Sequence, residues 1–373
     1  MFLLAAPIVM FFLLLYARSK INISVKIFGT SYSKNSKIPV VIKIANNSII
    51  PVSNAKFVIK YSNSLDNTSN TVSINTPIFQ KNTQNLRLMI SSKHCGILSA
   101  EIVKINLFDF LNLTSLKIGV SKKNKSNYSA SVAILPEIFE LDASAAHYVD
   151  SGLESEVFSK SKKGDDASEI FSIHEYADGD KISRIHWKIS AKQDKTFVKD
   201  YSLPINNTIE IMIDMFNPFN PAVSFLEVYD NIIECATSAS AFLVENDIPH
   251  KLCWYDKNID GNNSMIVETY DDFLIFLNHI LRTRNSSQPN TVVLEFLKDF
   301  ENLNKKCAHL IFVTSHFDDK TYELLTKENL AIRYTVFLIS KLEISDAYLK
   351  YDDVTIISVD SDNISNSIQN FCF

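Results

Sequence analysis

TIEIMID, residues 208–214, is a short apolar run that closes on an acid. A run of this length between turn signals reads as a strand buried on both faces. The next segment fixes the class. From Ser224 to Glu245 the spacing becomes helical. Ser224 and Glu227 form a capping-box pair, and Leu226, Tyr229, Ile233, Ala236, Ser240 and Leu243 fall on one stripe. The alternation then repeats. KLCWY (251–255), AHLIFVT (308–314), AIRYTVFLI (331–339) and VTIISV (354–359) read as strands. DDFLIFLNHILRTR (271–284), VVLEFLKDFENL (292–303) and KTYELLTKE (320–328) read as helices. Strands that are apolar almost throughout need cover on both faces, so residues 205–373 are expected to form a mostly parallel α/β sheet.

Upstream the period changes. VKIF, IPVVIKIAN, AKFVIKYS, TVSIN, LRLMIS, AEIVKINLF and SLKIGV are short and rich in β-branched residues. Asn, Ser, Asp and Pro clusters separate them, as at Asn46-Asn47-Ser48. No helix-period run intervenes. An antiparallel β-sandwich is expected over residues 18–140, without the Cys–Trp–Cys signature of an antibody domain. The fold class is therefore α+β and multidomain, with a linker over 141–204.

The first seventeen residues, MFLLAAPIVMFFLLLYA, carry no charge, and Arg18 and Lys20 come directly after. As a helix they would reach roughly 25 Å, slightly short of the ~30 Å hydrocarbon layer. There is no basic region ahead of the run and no convincing cleavage site for a signal peptide. Aromatic and aliphatic residues cover every face, which argues against an ordinary core helix. A membrane anchor over residues 1–17 is the expectation. With the cations on its C-terminal side, the remaining chain would lie in the cytoplasm, at the inner face of the cell membrane.

Composition removes several classes. The 373 residues carry a net charge of −5, so no general basic field draws nucleic acid. Seven glycines and no phosphate-loop pattern argue against a nucleotide cradle. The five cysteines have no CxxC spacing, which supports neither a zinc site nor a disulfide framework; reduced thiols are expected. No cofactor is called for.

The linker holds the densest chemistry, EYADGDKISRIHWKISAK (175–192). Ala177-Asp178-Gly179-Asp180 is a turn signal. Asp180 could cap a short helix carrying Ile182, Ile185 and Ile189, and KTFVKDY (195–201) returns as a strand. Four readings stand side by side. His174, Glu175, Asp178, Asp180 and His186 could serve a metal or acid–base site, although no ligand spacing is met. Lys181, Arg184, Lys188, Lys192, Lys195 and Lys199, with His186 and Trp187, could meet a nucleic acid, although such lysines are common on solvated helix faces. Trp187 and Arg184 could form a protein-binding edge. Or Trp187 could be core, with Arg184 paired to Asp180 one turn away.

The run Tyr176-x-x-Gly179-Asp180-x-x-x-Arg184-x-x-Trp187-Lys188-x-Ser190-Ala191-Lys192, followed by Val198, resembles the core motif of the family labelled domain of unknown function 58. Cys95-Gly96-Ile97 and Asp109-Phe110-Leu111-Asn112-Leu113 look like that family's Arg-Gly and Asp-Pro-Phe-Gly-Leu patterns in degraded form. Val132-Ala133-Ile134-Leu135-Pro136 resembles its strand before the linker. The resemblance covers nearly the whole chain. It implies N-terminal membrane helices, a β-sandwich, the motif, and a von Willebrand factor A-like (Rossmann-like) domain. One membrane helix is visible where the family has a closely spaced pair.

Von Willebrand A domains that hold Mg²⁺ use Asp-x-Ser-x-Ser after the first strand, because a hard cation wants oxygen ligands. Here the segment is Asp214-Met215-Phe216-Asn217-Pro218, and the later Ser-Asp position is Ser315-His316. Asp214 is read as a remnant, and no metal site is expected. The resemblance implies a non-enzymatic, membrane-anchored adaptor or assembly protein. Its partners would be a MoxR-type AAA+ ATPase and a transglutaminase-like membrane protein. Tyr176, Gly179, Asp180, Arg184, Trp187, Lys188 and Ser190 are the candidate contact residues. The alternative is a metal-dependent hydrolase or nuclease using the acidic and His turn at 174–186.

Overall fold

A computed structural model describes residues 2–65, 69–119, 125–141, 158–164, 170–177, 185–193, 195–204, 206–216, 225–283, 288–303, 307–327, 329–340, 351 and 353–360, with 364 and 367. The chain forms two compact units. The first is Met1–Glu137, Val223–Glu234 and Ile275–Arg284; the second is Ile138–Ala222, Cys235–Leu274 and Asn285–Phe373.

The first unit opens with helix α1 (Phe2–Lys20) and continues as β1 (Ile21–Ile27), β2 (Ser31–Ser33), β3 (Ile38–Asn46), β4 (Val52–Asn63), β5 (Asn70–Ile78), β6 (Asn82–Ile90), β7 (Gly96–Phe108), β8 (Ser115–Ile118), a single helical turn α2 (Lys125–Tyr128) and β9 (Ser129–Leu135). One sheet runs β1-β3-β6 and the other β2-β9-β7-β4-β5, with β8 on β7. All pairings are antiparallel except β2 with β9. Period-two patterning drives the packing. Ile38, Val40, Ile42 and Ile44 point inward from β3, Ala55, Phe57 and Ile59 from β4, and all join one core. In β7 the inward set is Ala100 and Ile102, then Ile105 and Leu107. A bulge opposite Val58 and Ile59 inserts one residue and resets the phase.

The helix expected over residues 1–17 runs on to Lys20. Its C-terminal part is not lipid-like in its surroundings: Leu14 and Ala17 are buried in the sandwich core. Among the described residues, no helix is long and apolar enough to cross a membrane.

The second unit holds β10 (Phe158–Gly164), β11 (Ile170–Glu175), α3 (Trp187–Gln193) and β12 (Phe197–Pro204), followed by β13 (Asn206–Ile213), α4 (Phe225–Glu245), β14 (His250–Asp256), β15 (Gly261–Val267), α5 (Tyr270–Ile280), α6 (Thr291–Leu303), β16 (Cys307–Thr314), α7 (Asp319–Lys327), β17 (Ala331–Ser340) and β18 (Val354–Asp360). The residues of α4 up to Glu234, and of α5 from Ile275, belong to the first unit. The large sheet has the order β15-β14-β13-β16-β17-β18. It is parallel except for β15, which runs antiparallel to β14. In chain order this is 3-2-1-4-5-6, the doubly wound arrangement, with its reversal between β13 and β16.

β15 escapes the sequence reading because Gly261, Asn262 and Asn263 are poor strand formers. It forms because β14 has an open edge beside it. Helix α4 also differs from its amphipathic reading: Val228 to Leu243 are buried without a break. Four of the cysteines, Cys95, Cys235, Cys253 and Cys307, are buried and in no disulfide among the described residues.

Gly96 shows how tightly β7 starts. Its φ is +122°, and an added Cβ would lie 2.3 Å from Asn63 Oδ1. Asn63 cannot yield easily, because its amide donates to the carbonyls of His94 and Cys95. Gly96→Ala is expected to lower stability by about 1–3 kcal/mol, read as a shift in the denaturant midpoint at unchanged slope.

Candidate functional site

The described part of the motif adjoins a small antiparallel sheet, β10-β12-β11, in the second unit. His174 pairs with Val198 and Glu175 with Phe197. Ile185, expected within a helix, bridges back to Val198 instead. Helix α3 begins at Trp187; residues 178–184, where a helix capped by Asp180 was expected, lie outside the described residues. Phe197 holds it from both backbone groups: the His186 N–H donates to the Phe197 carbonyl, and the Phe197 N–H donates to Ser190 Oγ, both at 2.8 Å. Ser190 is thus a clamp between α3 and β12. Trp187 is 70% exposed, which overturns its reading as core, and Tyr176 and Lys188 are exposed as well. An apolar ring of that size in solvent needs a reason. Gly179, Asp180 and Arg184 lie outside the described residues, as does the proposed Asp180–Arg184 pair. Lys195 pairs with Glu175 on the surface.

At the carboxyl ends of β13 and β16 stands Asp214, 2% exposed. This is the switch point of the sheet, where open α/β folds place their ligands. Burial pushes the Asp214 carboxyl up to about 7, against the Thr314 hydroxyl and the Asn290 backbone N–H, which favour the anion. The hydrogen bonding agrees with a retained proton. Thr314 Oγ1 accepts from the His316 N–H at 3.1 Å and lies 3.1 Å from the His316 carbonyl and 3.0 Å from Asp214 Oδ2. Its single proton can serve only one of those two oxygens. If Asp214 is protonated and donates to Thr314, Thr314 can donate to His316, and every group is satisfied.

Among the described residues, the hydroxyls near Asp214 are engaged within the protein. Ser315 Oγ donates to the Phe216 carbonyl at 2.5 Å, and the Phe216 ring meets the His316 ring edge-on. Among the described residues, no group of three or more His, Cys, Asp or Glu side chains is arranged to hold a metal. A hydrolase would need an accessible nucleophile. Ser240 Oγ lies 2.7 Å from His250 Nε2, but both residues are buried, and burial drops the imidazole to about 4.

A third constellation has no counterpart in the sequence reading. In the first unit, Lys34 Nζ sits between Asp230 (3.1 Å) and Glu234. Asp230 also accepts from the Cys95 N–H at 2.8 Å, and His94 Nδ1 lies 3.3 Å away. Glu234 accepts from the Glu137 N–H at 2.8 Å. Burial and the Asp230 charge push Glu234 up to about 7, despite Lys34. Asp230 goes the other way: burial raises it, but His94, Lys34 and the Cys95 N–H outweigh that and hold it below the usual range. The two acids stand four residues apart on one helix, a like-charge spacing that repels unless a cation lies between. That spacing is the one available signal. It does not reveal the cation, which comes from nearly two hundred residues away.

No family model matches the chain, and no curated protein does. Solved structures similar to part of it include the CARDB domain of a Pyrococcus furiosus protein in complex with di-metal ions, at 14% identity over 31% of this chain and 86% of that one, TM-score 0.21. Another is a cohesin module from a Clostridium perfringens family 33 glycoside hydrolase, at 11% identity over 31% and 96%, TM-score 0.22. A third is a sporulation control protein from Bacillus subtilis, at 6% identity over 36% and 56%, TM-score 0.19. At these scores the likenesses add nothing to the strand pairing described above.

Two outcomes test the electrostatics. Asp214 rises from 3.8 unfolded to about 7 folded, so its stabilising effect is complete below 3.8 and is lost as pH climbs towards 7. Asp214→Asn is therefore expected to gain on wild type over that window, by up to about 4 kcal/mol at pH 8, with Mg²⁺ leaving both melting temperatures unchanged. Lys34→Met leaves two neighbouring buried acids without their cation. It is expected to cost about 3–5 kcal/mol at pH 8, and less at pH 5 where Glu234 takes up a proton, as read by urea melts at both pH values.

Proposed function

We propose that the chain is a membrane-associated adaptor that presents a metal-free, von Willebrand factor A-like domain to a protein partner, with the contact edge at the motif around Trp187. The exposed Trp187 carries this reading. Its helix is fixed by the Ser190–Phe197 and His186–Phe197 hydrogen bonds, so the ring is held out on a rigid edge rather than folded away. Tryptophan presented in this way is the residue type most enriched in binding hot spots.

Other observations support membership of the family labelled domain of unknown function 58. The 3-2-1-4-5-6 sheet with Asp214 at its switch point agrees with a von Willebrand A-like domain. Asn112 stands where the family pattern has glycine, and its φ of 56° is one that asparagine tolerates and most residues do not. The apolar residues Ile8, Val9, Phe12 and Tyr16 on α1 face solvent, which supports attachment to a membrane. On this reading Arg18 and Lys20, directly after the apolar run, put the remaining chain on the cytoplasmic side. On this reading the partner is a MoxR-type AAA+ ATPase, with a transglutaminase-like membrane protein as a further member of the assembly. No reaction is assigned, because the acids and histidines of 174–186 form no nucleophile–base pair among the described residues.

Affinity capture of the detergent-solubilised chain from its native cells, read by mass spectrometry, tests this reading. Wild type should recover an AAA+ ATPase. Trp187→Ala should keep its stability within about 0.5 kcal/mol, as an exposed substitution does, and lose about 2 kcal/mol or more of binding. Capture of no ATPase by a folded wild-type chain would sink the adaptor reading.

A further inference from the structure

One end of the sandwich in the first unit carries five exposed large apolar residues on three adjoining turns, while Phe28, Met89, Val103 and Leu135 are exposed singly elsewhere. Strand register defines that end. Ile21 pairs with Asn46, Asn46 with Asn82, Val52 with Ile78, Asn54 with Phe108, and Phe108 with Ser115. The β3–β4, β5–β6 and β7–β8 turns therefore lie together, where α1 joins β1. Each turn lifts large apolar side chains into solvent: Ile49 from the first, Phe79 from the second, and Phe110, Leu111 and Leu113 from the third.

These tips are built, not slack. The Asn46 amide donates to the carbonyls of Ile50 and Phe79, and the Lys81 N–H donates to the Ser48 carbonyl, tying the first two turns together. The Asn47 N–H donates to the Lys20 carbonyl, which ties the first turn to α1. In the third turn Asp109 accepts from the Leu111, Leu113 and Thr114 N–H groups and from the Thr114 hydroxyl. That cage fixes the loop with its apolar side chains outward, and Ser53 Oγ fastens it by donating to the Asp109 carbonyl. The charge pattern is one-sided. Arg18, Lys20 and Lys81 flank the tips, while the only acid in the three turns and α1 is Asp109, buried in its own cage.

We propose that these three turns dip into the interfacial layer of an anionic lipid bilayer, so that the sandwich stands end-on at the membrane beside α1. The inference rests on the membrane-associated reading above. Three features select lipid as the occupant. The tips are continuous with α1, which packs against β7 and β8 and leaves its own apolar residues exposed. Rigid aromatic and aliphatic tips rimmed by cations match the layering of an interface, with apolar groups inserted and basic groups at the phosphates. And the tips have no exposed acid to be repelled by an anionic surface.

The test uses the full chain mixed with vesicles of phosphatidylcholine and phosphatidylglycerol, in a Trp187→Phe background that leaves only the buried Trp254. Phe110→Trp and Phe79→Trp probe the proposed end. Phe28→Trp probes the opposite end, beside the Ile27–Val40 pair, where the native ring is also exposed. Flotation reports attachment, and quenching by brominated lipid reports insertion. Flotation with quenching and a blue shift at positions 110 and 79, and neither at 28, is the expected result. Flotation without quenching at 110 and 79 overturns the proposal and leaves the anchor standing. Failure to float removes the membrane reading and the proposal together. Phe110→Ser abolishing self-association in the absence of lipid, with no quenching at 110 in its presence, would give the surface to a second copy of the chain instead.

Discussion

Helix α4 must satisfy polar side chains that have no access to water. Val228 to Leu243 are buried in an unbroken run that includes Asp230, Asn231, Glu234, Thr237, Ser238 and Ser240. A desolvated carboxylate without a partner costs several kcal/mol, so each half of the helix depends on donors brought to it within its own unit. In the first unit those donors are Lys34, the Cys95 N–H and the Glu137 N–H. In the second, the Phe139 N–H donates to Ser238 Oγ, and Ser240 meets His250. Donors fixed in place fix the loops that carry them. Lys34 follows β2, Cys95 precedes β7, and Glu137 follows β9, so three chain turns of the sandwich are held against one pair of acids. Ion pairs of this kind add little net stability over an apolar replacement, but they punish any arrangement that leaves one member alone. Their contribution is to select one geometry.

Burial also decides where the sequence is legible and where it is opaque. Parallel strands such as Leu310–Val313 announce themselves because burial on both faces demands apolar residues at successive positions. The sandwich strands do so through alternation, as from Ile38 to Ile44. Both are local signals. β15 gives no such signal, because its pairing comes from the open edge of β14 rather than from its own polar residues. The polar face of α4 reads as solvated because Lys34 and Cys95 are distant in sequence. In the motif, helical spacing of Ile182, Ile185 and Ile189 points to a helix from Asp180. At Ile185 a bridge to Val198 takes the place of the expected helical turn, just ahead of α3, while Ile182 lies outside the described residues. Once the helix begins at Trp187, the indole falls on its outer side.

Asp214 illustrates how a carboxylate at a strand end can be closed off by its own neighbours. A carboxylate at the switch point of a doubly wound sheet is well placed to bind a cation if hydroxyl ligands accompany it. Here the neighbouring hydroxyls are used within the protein. Thr314 joins Asp214 to His316, and Ser315 caps the Phe216 carbonyl. The Phe216 ring packs edge-on against His316 beside them. Burial then favours the protonated acid. The outcome is a loop-to-loop brace at the position where open α/β sheets place their ligands.

The sandwich shows why its contacts gather at its ends. Along a strand pairing within a two-sheet stack, inward side chains are committed to the core, and outward ones alternate with them in a pattern set by the pleat. A change of surface chemistry on those faces must work around every second residue. The turns are free of that constraint, and the two ends of this unit use the freedom differently. One end, with Lys34, His94 and the turn before Gly96, presents charge and backbone donors to the buried acids of α4. The other, with the turns around Ile49, Phe79 and Phe110, presents apolar tips held outward by their own hydrogen bonds. The hydrogen-bond cage around Asp109 is what separates the second end from an ordinary loop. A flexible loop would turn Phe110 and Leu113 back onto the nearest apolar surface. A carboxylate that binds three backbone N–H groups leaves the chain no such option, and the exposed rings become a fixed property of the fold.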